Sequence, residues 1–202
     1  MKTIKLKVLI LSLIFLAAIT GAHSQNVFRL LSESSSLQIA GTSSIHDWEM
    51  KASNFNSEAL LQISPDKSAS ITEVEFSCPV SGINSGNKIM DNKTYKALKE
   101  EKYPFINFLI NPQDNVKLYD DNNTVSGMLT IAGITKEVKF PCDVTFISSN
   151  RFKISGELPL KMSDFGVEPP TAMLGALKTG NEVVVKFDFE FNMSSHELTK
   201  YE

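Results

Sequence analysis

The feature of this chain that most constrains its fold is a period-two alternation of apolar and polar side chains. Successive side chains of a β-strand point to opposite faces, so an alternating segment has one apolar face and one polar face. Parallel strands that are covered on both faces are continuously apolar, and alternation therefore indicates an antiparallel sheet. The alternating segments are 46–51, Ile71–Val80, Ile106–Ile110, Val125–Ile131, Lys136–Phe146, Phe152–Leu160 and Val183–Phe191.

Turn signals separate these segments at spacings that suit a meander of hairpins. Asp120–Asn123 and Ser148–Asn150 are runs of the small polar residues that tight turns prefer. An all-β fold follows, either an up-and-down barrel or a sandwich. The chain has no internal repeat or low-complexity linker, so one domain is the simplest interpretation.

Helix is predicted in only one or two short segments. Asp91–Glu101 is predicted as a helix with Asp91 or Asn92 as its N-cap and Pro104 beyond its end. Ala172–Leu177 follows a pair of prolines and is predicted as a second short helix.

Residues 1–24 have the pattern of a secretory signal peptide. Three lysines precede the apolar run Val8–Ile19, and Ala22-His23-Ser24 supplies small residues before a cleavage site after Ser24. The apolar run is shorter than the roughly 20 residues that a membrane-spanning helix needs, which disfavours a retained anchor. We expect an exported protein, periplasmic or secreted, with no transmembrane segment after cleavage, a barrel at 25–192 and a polar tail at 193–202.

The charge of the chain is acidic once this leader is set aside. The remaining 178 residues carry 17 basic and 23 acidic side chains, a net charge of −6 with histidine neutral. This balance argues against a nucleic-acid partner. A chain of this length can bury a sizeable core in one domain without a disulfide scaffold.

The two cysteines, Cys78 and Cys142, both fall on inward positions of their predicted strands. In a simple meander these strands are not neighbours, and a disulfide requires Cα atoms within about 7 Å of each other. An oxidising compartment favours pairing of thiols, whereas this geometry opposes it. We predict two buried free thiols.

Four local patterns follow one another along the chain. They are Gly41-Thr-Ser-Ser-Ile-His46-Asp-Trp48, Met90-Asp91 with Tyr103-Pro104-Phe105, Gly127-Met-Leu129-Thr-Ile-Ala-Gly133, and Asp164-Phe165-Gly166-Val167-Glu168-Pro169-Pro170. In this order and spacing, from about Leu37 to Phe191, the chain resembles the YceI-like family of exported lipid-binding barrels. The resemblance implies a lipocalin-like barrel of about eight strands. It also implies a long-chain lipid as the partner, with polyisoprenoids the best-known class.

Inward strand positions supply most of the candidate ligand-binding residues. Phenylalanine at such positions usually packs in a filled core, so the residues alone favour a solid barrel. The family resemblance reverses this preference and implies a lined cavity. The candidate ligand-binding residues are His46, Trp48, Met50, Phe76, Phe108, Leu129, Ile131, Phe140, Phe165, Met173, Leu174, Leu177 and Phe187.

His46 and the segment 163–177 are the candidates for the mouth of this cavity. His46 shares the inward face of its predicted strand with Trp48, where it would bond either a ligand head group or a backbone carbonyl. Asp47 points to the opposite face and cannot orient His46 as the carboxylate of a catalytic triad does. The segment 163–177 is rich in apolar side chains and predicts a cap over the mouth, with ordinary core closure as the alternative.

Three classes of function are compatible with these features. The first is a non-enzymatic lipid carrier with no cofactor. A metal site is not expected, because His23 lies in the predicted leader and His196 in the tail. The second is an isomerase or cyclase that acts on a bound lipid, which would need a polar pair deep inside the barrel. The third is a solid-cored structural or partner-binding module. The sequence leaves monomer and homodimer open.

Overall fold

The structure, a computed structural model, describes residues 26–63, 69–110, 116–118, 123–172 and 175–194. The predicted signal peptide and all but the beginning of the predicted tail lie outside these residues. Within them the chain forms one α-helix, α1 (Lys88–Ala97), and 3-10 helices at Ser32–Ser34, Val80–Gly82 and Met162–Phe165. The strands are β1 (Asn26–Leu30), β2 (Ser36–Ser43), β3 (Trp48–Ala52), β4 (Asn56–Ile63), β5 (Ala69–Pro79), β6 (Ile83–Asn84), β7 (Phe105–Ile110), β8 (Val116–Leu118), β9 (Asn123–Ile131), β10 (Ile134–Ser148), β11 (Arg151–Lys161), β12 (Thr171–Ala172) and β13 (Leu177–Met193).

The sheet closes into a barrel because β13 pairs with the beginning of the chain as well as with β11. β1 pairs with the end of β13, where Phe28 lies opposite Met193, and β2 pairs with its first half, where Gly41 lies opposite Val183. β1 and β2 therefore act as one interrupted barrel strand, and β3/β4, β5/β6 and β7/β8 combine in the same way.

Together with β9, β10, β11 and β13, these interrupted strands give eight barrel strands, each antiparallel to its neighbours. Their order around the barrel is their order along the chain. The predicted up-and-down antiparallel barrel of about eight strands is therefore confirmed, and the sandwich alternative is wrong.

The alternation that predicted the strands sets which side chains face inward. In β10 the side chains of Val138, Phe140, Cys142 and Val144 are buried, and the residues between them are exposed. On the outer face of β11 and β13, ion pairs join Lys153 to Asp188 and Lys186 to Glu157, at 3.4 and 3.1 Å. Such exposed pairs stabilise by roughly 0–1 kcal/mol each, so the barrel depends mainly on what its inner face buries.

A β-bulge interrupts the alternation in β5. Leu60 lies opposite Glu73 and Leu61 lies opposite Ile71, so Thr72 is the extra residue. Its hydroxyl donates a hydrogen bond to the carbonyl of Leu60 at 3.1 Å. The predicted strand also continued to Val80, which is wrong, because Val80 begins a 3-10 turn after Pro79, a residue with no N–H for the ladder.

Helix α1 begins at Lys88, three residues before the predicted start at Asp91. Its N-cap is Asn87, whose side-chain oxygen accepts hydrogen bonds from the N–H groups of Ile89 and Met90 at 3.0 and 3.3 Å. The predicted N-caps Asp91 and Asn92 lie inside the helix instead. The carboxylate of Asp91 accepts from the backbone N–H and the hydroxyl of Ser85, both at 2.7 Å, and so fixes the loop before the helix.

The second predicted helix, Ala172–Leu177, is wrong at both of its described ends. Ala172 lies opposite Leu177 in a two-stranded pair of β12 with β13. Gly175, between them, has a φ of +90°, which a right-handed helix does not allow. Residues 173–174 lie outside the described residues.

One end of the barrel is filled by aromatic packing. The ring centroid of Phe152 lies 5.2 Å from that of Phe28 and 4.9 Å from that of Phe191. Leu61 and Leu118 are fully buried in the same core cluster. This packing closes the barrel interior beneath the ends of β1, β11 and β13.

Two glycines in strand interiors make room for phenylalanine rings. A Cβ at Gly127 would lie 2.5 Å from the ring of Phe108, and a Cβ at Gly156 would lie 2.8 Å from the ring of Phe187. Each ring therefore reaches over the glycine of the neighbouring strand. No side chain other than hydrogen permits this approach.

Replacing Gly127 with alanine is expected to lower the free energy of unfolding by about 1–3 kcal/mol, because the new methyl group would lie 2.5 Å from the ring of Phe108 and 2.6 Å from the carbonyl oxygen of Leu109. Urea denaturation measures the change. Thr124→Ala, at an exposed position of the same strand, is the control and should change stability by less than about 0.5 kcal/mol. Equal stability of the two variants would contradict the observed position of the Phe108 ring.

Candidate functional site

The barrel encloses a cavity of about 520 Å³ above the packed aromatic end. Inward-facing residues of all eight barrel strands line it, together with α1 and the segment 162–172. Two predicted site residues, Met173 and Leu174, lie outside the described residues. The other predicted residues all line this cavity: His46, Trp48, Met50, Phe76, Phe108, Leu129, Ile131, Phe140, Phe165, Leu177 and Phe187.

Phenylalanine rings form a continuous belt around the cavity wall. The ring centroid of Phe140 lies 5.9 Å from that of Phe108 and 5.6 Å from that of Phe187. Phe189 extends the belt, with its centroid 5.4 Å from that of Phe187 and 5.7 Å from that of Phe76. Tilted and edge-on contacts of this kind hold the rings against one another. The wall is therefore preformed and can receive an apolar ligand without rearrangement of the belt.

Helix α1 supplies a part of the wall that the sequence reasoning missed. Ile89, Lys93 and Ala97 line the cavity, as do Met90 and Thr94. Their spacing of four residues places them on one face of the helix, and this spacing is the signal that could have found them. The hydroxyl of Thr94 lies 3.5 Å from the sulfur of Met50 on β3, which fixes this face against the barrel.

His46 lies at the rim of the cavity and not on a strand as predicted. It is exposed in the loop before β3, and its Nδ1 lies 2.7 Å from the carbonyl oxygen of Asp47. That contact involves the backbone of Asp47 and leaves its carboxylate unused. The hydroxyl of Ser43 donates to the carbonyl of His46 at 2.7 Å, so a tight turn removes this residue from the strand alternation.

Trp48 is half-buried in the wall, two residues further along. Its indole Nε1 donates a hydrogen bond to the carbonyl of Thr42 at 3.0 Å. The ring covers Gly41 on β2, where a Cβ would lie 2.3 Å from it. The indole therefore has its polar atom satisfied by the protein and presents an apolar surface to the cavity.

The mouth of the cavity is assembled by contacts between four chain segments. The N–H of Ser44 donates to the carbonyl of Lys178 at 2.9 Å, and Lys178 lies opposite Thr171 in the β12–β13 pair. The ammonium group of Lys93 donates to the carbonyl of Thr171 at 2.8 Å and so connects α1 to this rim. Ile45 and Ile89 are 61% and 72% exposed and also line the cavity, so the entrance itself is partly apolar.

The segment 162–172 lies over the mouth beside α1. Phe165 and Val167 are buried and line the cavity. The ammonium group of Lys99, just after α1, donates to the carbonyl of Gly166 at 3.2 Å. This is the position that the sequence predicted for a cap. The segment closes one side of the mouth with apolar side chains.

Both cysteines are buried free thiols, as predicted. Burial raises the pKa of the Cys78 thiol to about 11. The pKa of Cys142 is also raised to about 11, by burial first and then by the negative charge of Asp143. Cys78 lines the cavity, whereas Cys142 is buried in the core cluster and does not line the cavity. Only Cys78 therefore reports on the cavity.

The described residues contain no group of three or more histidine, cysteine or acidic side chains that could hold a metal ion. Of the helices in the described part of the chain, none has both the length and the hydropathy of a membrane span.

The family model of the YceI-like domain matches residues 21–191 of the chain. The chain belongs to the YceI-like family. This membership confirms the resemblance that the four sequence patterns indicated. No curated protein sequence matches this YceI-like protein.

Solved structures share the fold of this YceI-like protein. Burkholderia cenocepacia BcnA has a TM-score of 0.64 at 19% identity, over 80% of this chain and 98% of its own. A polyisoprenoid-binding domain from Saccharophagus degradans has a TM-score of 0.64 at 15% identity, over 83% of this chain and 98% of its own. A Campylobacter jejuni YceI protein has a TM-score of 0.53 at 18% identity, over 72% and 84%.

Cys78 in the Cys142→Ala variant is expected to react slowly with a thiol reagent in the folded protein, because the cavity wall buries it and the reactive thiolate is scarce far below a pKa of about 11. The rate should rise about tenfold per pH unit between pH 7 and 9. A saturating long-chain lipid should slow it further. The Cys78→Ala variant, which retains Cys142, is the control and should show no effect of lipid.

The wild-type protein, denatured without reductant, should show two reactive thiols. A disulfide, detected as zero reactive thiols, would contradict the observed free state of the two cysteines. Equal protection of both cysteines by lipid would contradict the assignment of Cys78 alone to the cavity wall.

Proposed function

We propose that this protein binds a long-chain amphiphilic lipid, such as a polyisoprenoid, inside the barrel and carries or sequesters it without chemical change. The observation that carries the proposal is the cavity of about 520 Å³, closed at one end and lined by a belt of phenylalanine and aliphatic side chains. This volume falls within the range of about 300–1,000 Å³ that is usual for small-molecule sites.

The energetics of hydrocarbon burial support capture by shape. Each buried methylene group contributes about 0.8 kcal/mol, so a tail of about twenty groups contributes roughly 16 kcal/mol. Association costs on the order of 4–15 kcal/mol, depending on how the lost freedom is counted. A long tail is therefore retained and a short one is released, which makes chain length the first determinant of affinity.

Membership of the YceI-like family, a family of binding proteins, supports binding without catalysis. The relative from Saccharophagus degradans is described as a polyisoprenoid-binding domain, and its shared fold supports a ligand of the same general shape here. An isomerase or cyclase would need a polar pair inside the cavity. The buried hydroxyl of Ser57 on the wall is already bonded to the carbonyl of Glu75 at 2.9 Å, so it is satisfied by the barrel itself.

The proposed place of action is outside the cytoplasm, in the periplasm or beyond the cell. Its support is the signal-peptide pattern of residues 1–24. A carrier in an aqueous compartment between membranes must shield hydrocarbon from water, which is what a one-ended apolar barrel does.

Organic extraction of the protein, purified from its native envelope, should release a long-chain lipid at close to one molecule per chain. Mass spectrometry of the extract identifies and counts it. A Leu129→Trp variant, which fills the cavity from its wall, should retain the fold by circular dichroism and carry much less lipid. Only trace lipid in repeated wild-type preparations would contradict the carrier function.

Trp48, the only tryptophan of the chain, should report lipid binding directly. Its half-buried ring should emit at a blue-shifted wavelength, and an isoprenoid quinone should quench the emission saturably at close to one per chain. In the Trp48→Phe variant, binding of the same quinone is measured by its displacement of a fluorescent fatty acid. This measurement tests whether binding survives without the indole ring. Red-shifted emission that no lipid changes would place the ring outside the cavity.

A further inference from the structure

We propose that the cavity mouth is built for an anionic oxygen head group, a carboxylate or a phosphate, and that Lys93 is its principal contact. This inference rests on the proposed function, since it names the chemical class of the lipid that the same cavity takes.

Apart from the thiol of Cys78, the ionisable side chains of the cavity lining are all basic. Among the described residues they are His46, Lys93, Lys161 and Lys178, and no aspartate or glutamate lines the cavity. The chain as a whole has the opposite balance, with a formal net charge of −3. Basic groups are therefore concentrated at the one place where a bound lipid would present its polar end.

Lys93 is the best placed of these residues. It is half-buried on the face of α1 that lines the cavity, one turn from the exposed Ile89. Its ammonium group donates to the carbonyl of Thr171, which lines the cavity as well, at 2.8 Å. An ammonium group carries three N–H donors, and this bond uses one of them.

No carboxylate of the described residues forms an ion pair with Lys93. The nearest acidic residue on the helix, Asp91, has its carboxylate bonded to Ser85. Lysines of the outer face differ, since Lys153 and Lys186 are paired with Asp188 and Glu157. A half-buried cation with only a neutral partner gains from an anion that enters beside it.

Lys178 lies on the same side of the mouth as Lys93. It is opposite Thr171 in the β12–β13 pair, and Thr171 is the residue that Lys93 bonds. A head group beside the Thr171 carbonyl would thus lie near both lysines and near the loop that contains His46. The hydrogen bond from the N–H of Ser44 to the carbonyl of Lys178 holds this loop against β13. Charge-assisted hydrogen bonds from lysine suit carboxylate and phosphate oxygens alike.

The consequence is selectivity among lipids of equal tail length. A neutral alcohol or quinone ring offers the Lys93 ammonium no charge. An acid with the same tail should therefore bind about tenfold more tightly, a difference of ~1.4 kcal/mol. Raised salt should weaken this preference, since the rim is open to solvent.

The test compares three probes with one tail: hexadecanoic acid, hexadecyl phosphate and hexadecanol. Binding to the delipidated protein is measured at pH 8 and below the micelle concentration by quenching or enhancement of Trp48 emission. We expect both anions to bind about tenfold more tightly than the alcohol. The ratio of the affinities for hexadecanoic acid and hexadecyl phosphate identifies whether the mouth prefers a carboxylate or a phosphate.

Lys93→Gln should reduce the preference for the anions to about twofold and leave the affinity for hexadecanol nearly unchanged. Lys93→Arg should retain the preference. Lys153→Gln, which removes a paired lysine of the outer face, is the matched control and should change nothing.

Equal affinity of the wild-type protein for all three probes would overturn the head-group inference and leave the carrier function intact. So would an equal loss of all three affinities in Lys93→Gln, because Lys93 would then act only by holding the rim together. Failure of every long-chain probe to bind would instead count against the carrier function itself.

Discussion

The pairing of β13 with β11 on one side and with the beginning of the chain on the other is the constraint on which the rest of the structure depends. Eleven consecutive pairs fix its register against β11, from Arg151–Asn192 to Lys161–Glu182. Side chains alternate across a strand, so a slip of one residue would turn Phe187 and Phe189 outward and bring Lys186 and Asp188 inside. The cavity, its aromatic belt and the closed end all exist only in the observed register.

The same type of residue makes a solid core at one end of the barrel and a cavity at the other. At the closed end, the ring of Phe152 packs against those of Phe28 and Phe191. Nearer the mouth, the rings of Phe108 and Phe187 lie close against the wall, because Gly127 and Gly156 leave them room. The glycines thus keep aromatic volume out of the centre, and the size of the cavity depends on residues that have no side chain.

Alternation was enough to predict an antiparallel all-β fold and most of its inward residues, since both depend on a strictly local period. The barrel, as opposed to a sandwich, was implied by the family resemblance. Alternation misplaced His46, because the turn held by Ser43 interrupts the strand just before Trp48. The start of α1 could not be predicted exactly, because several polar residues in this segment could serve as its N-cap. Asn87 is the N-cap because its side chain accepts hydrogen bonds from two N–H groups of the first turn. The contribution of α1 to the wall was not predicted, because it depends on how a helix docks over a mouth, which no local pattern specifies. Gly127 stood in a recognised pattern, yet its role required the position of Phe108 on another strand.

The interrupted strands give the barrel two mechanically different halves. β9, β10, β11 and β13 are continuous ladders of 9 to 17 residues, whereas the other half consists of pieces of 2 to 11 residues joined by turns and loops. Short ladders separate at a lower free energy than long ones, because fewer hydrogen bonds open together. The continuous half is therefore the more rigid side of the barrel. The interrupted half, which carries β3 against α1, is the more flexible side. Local opening of the barrel is expected first between the short ladders of the interrupted side, while the continuous side keeps its register.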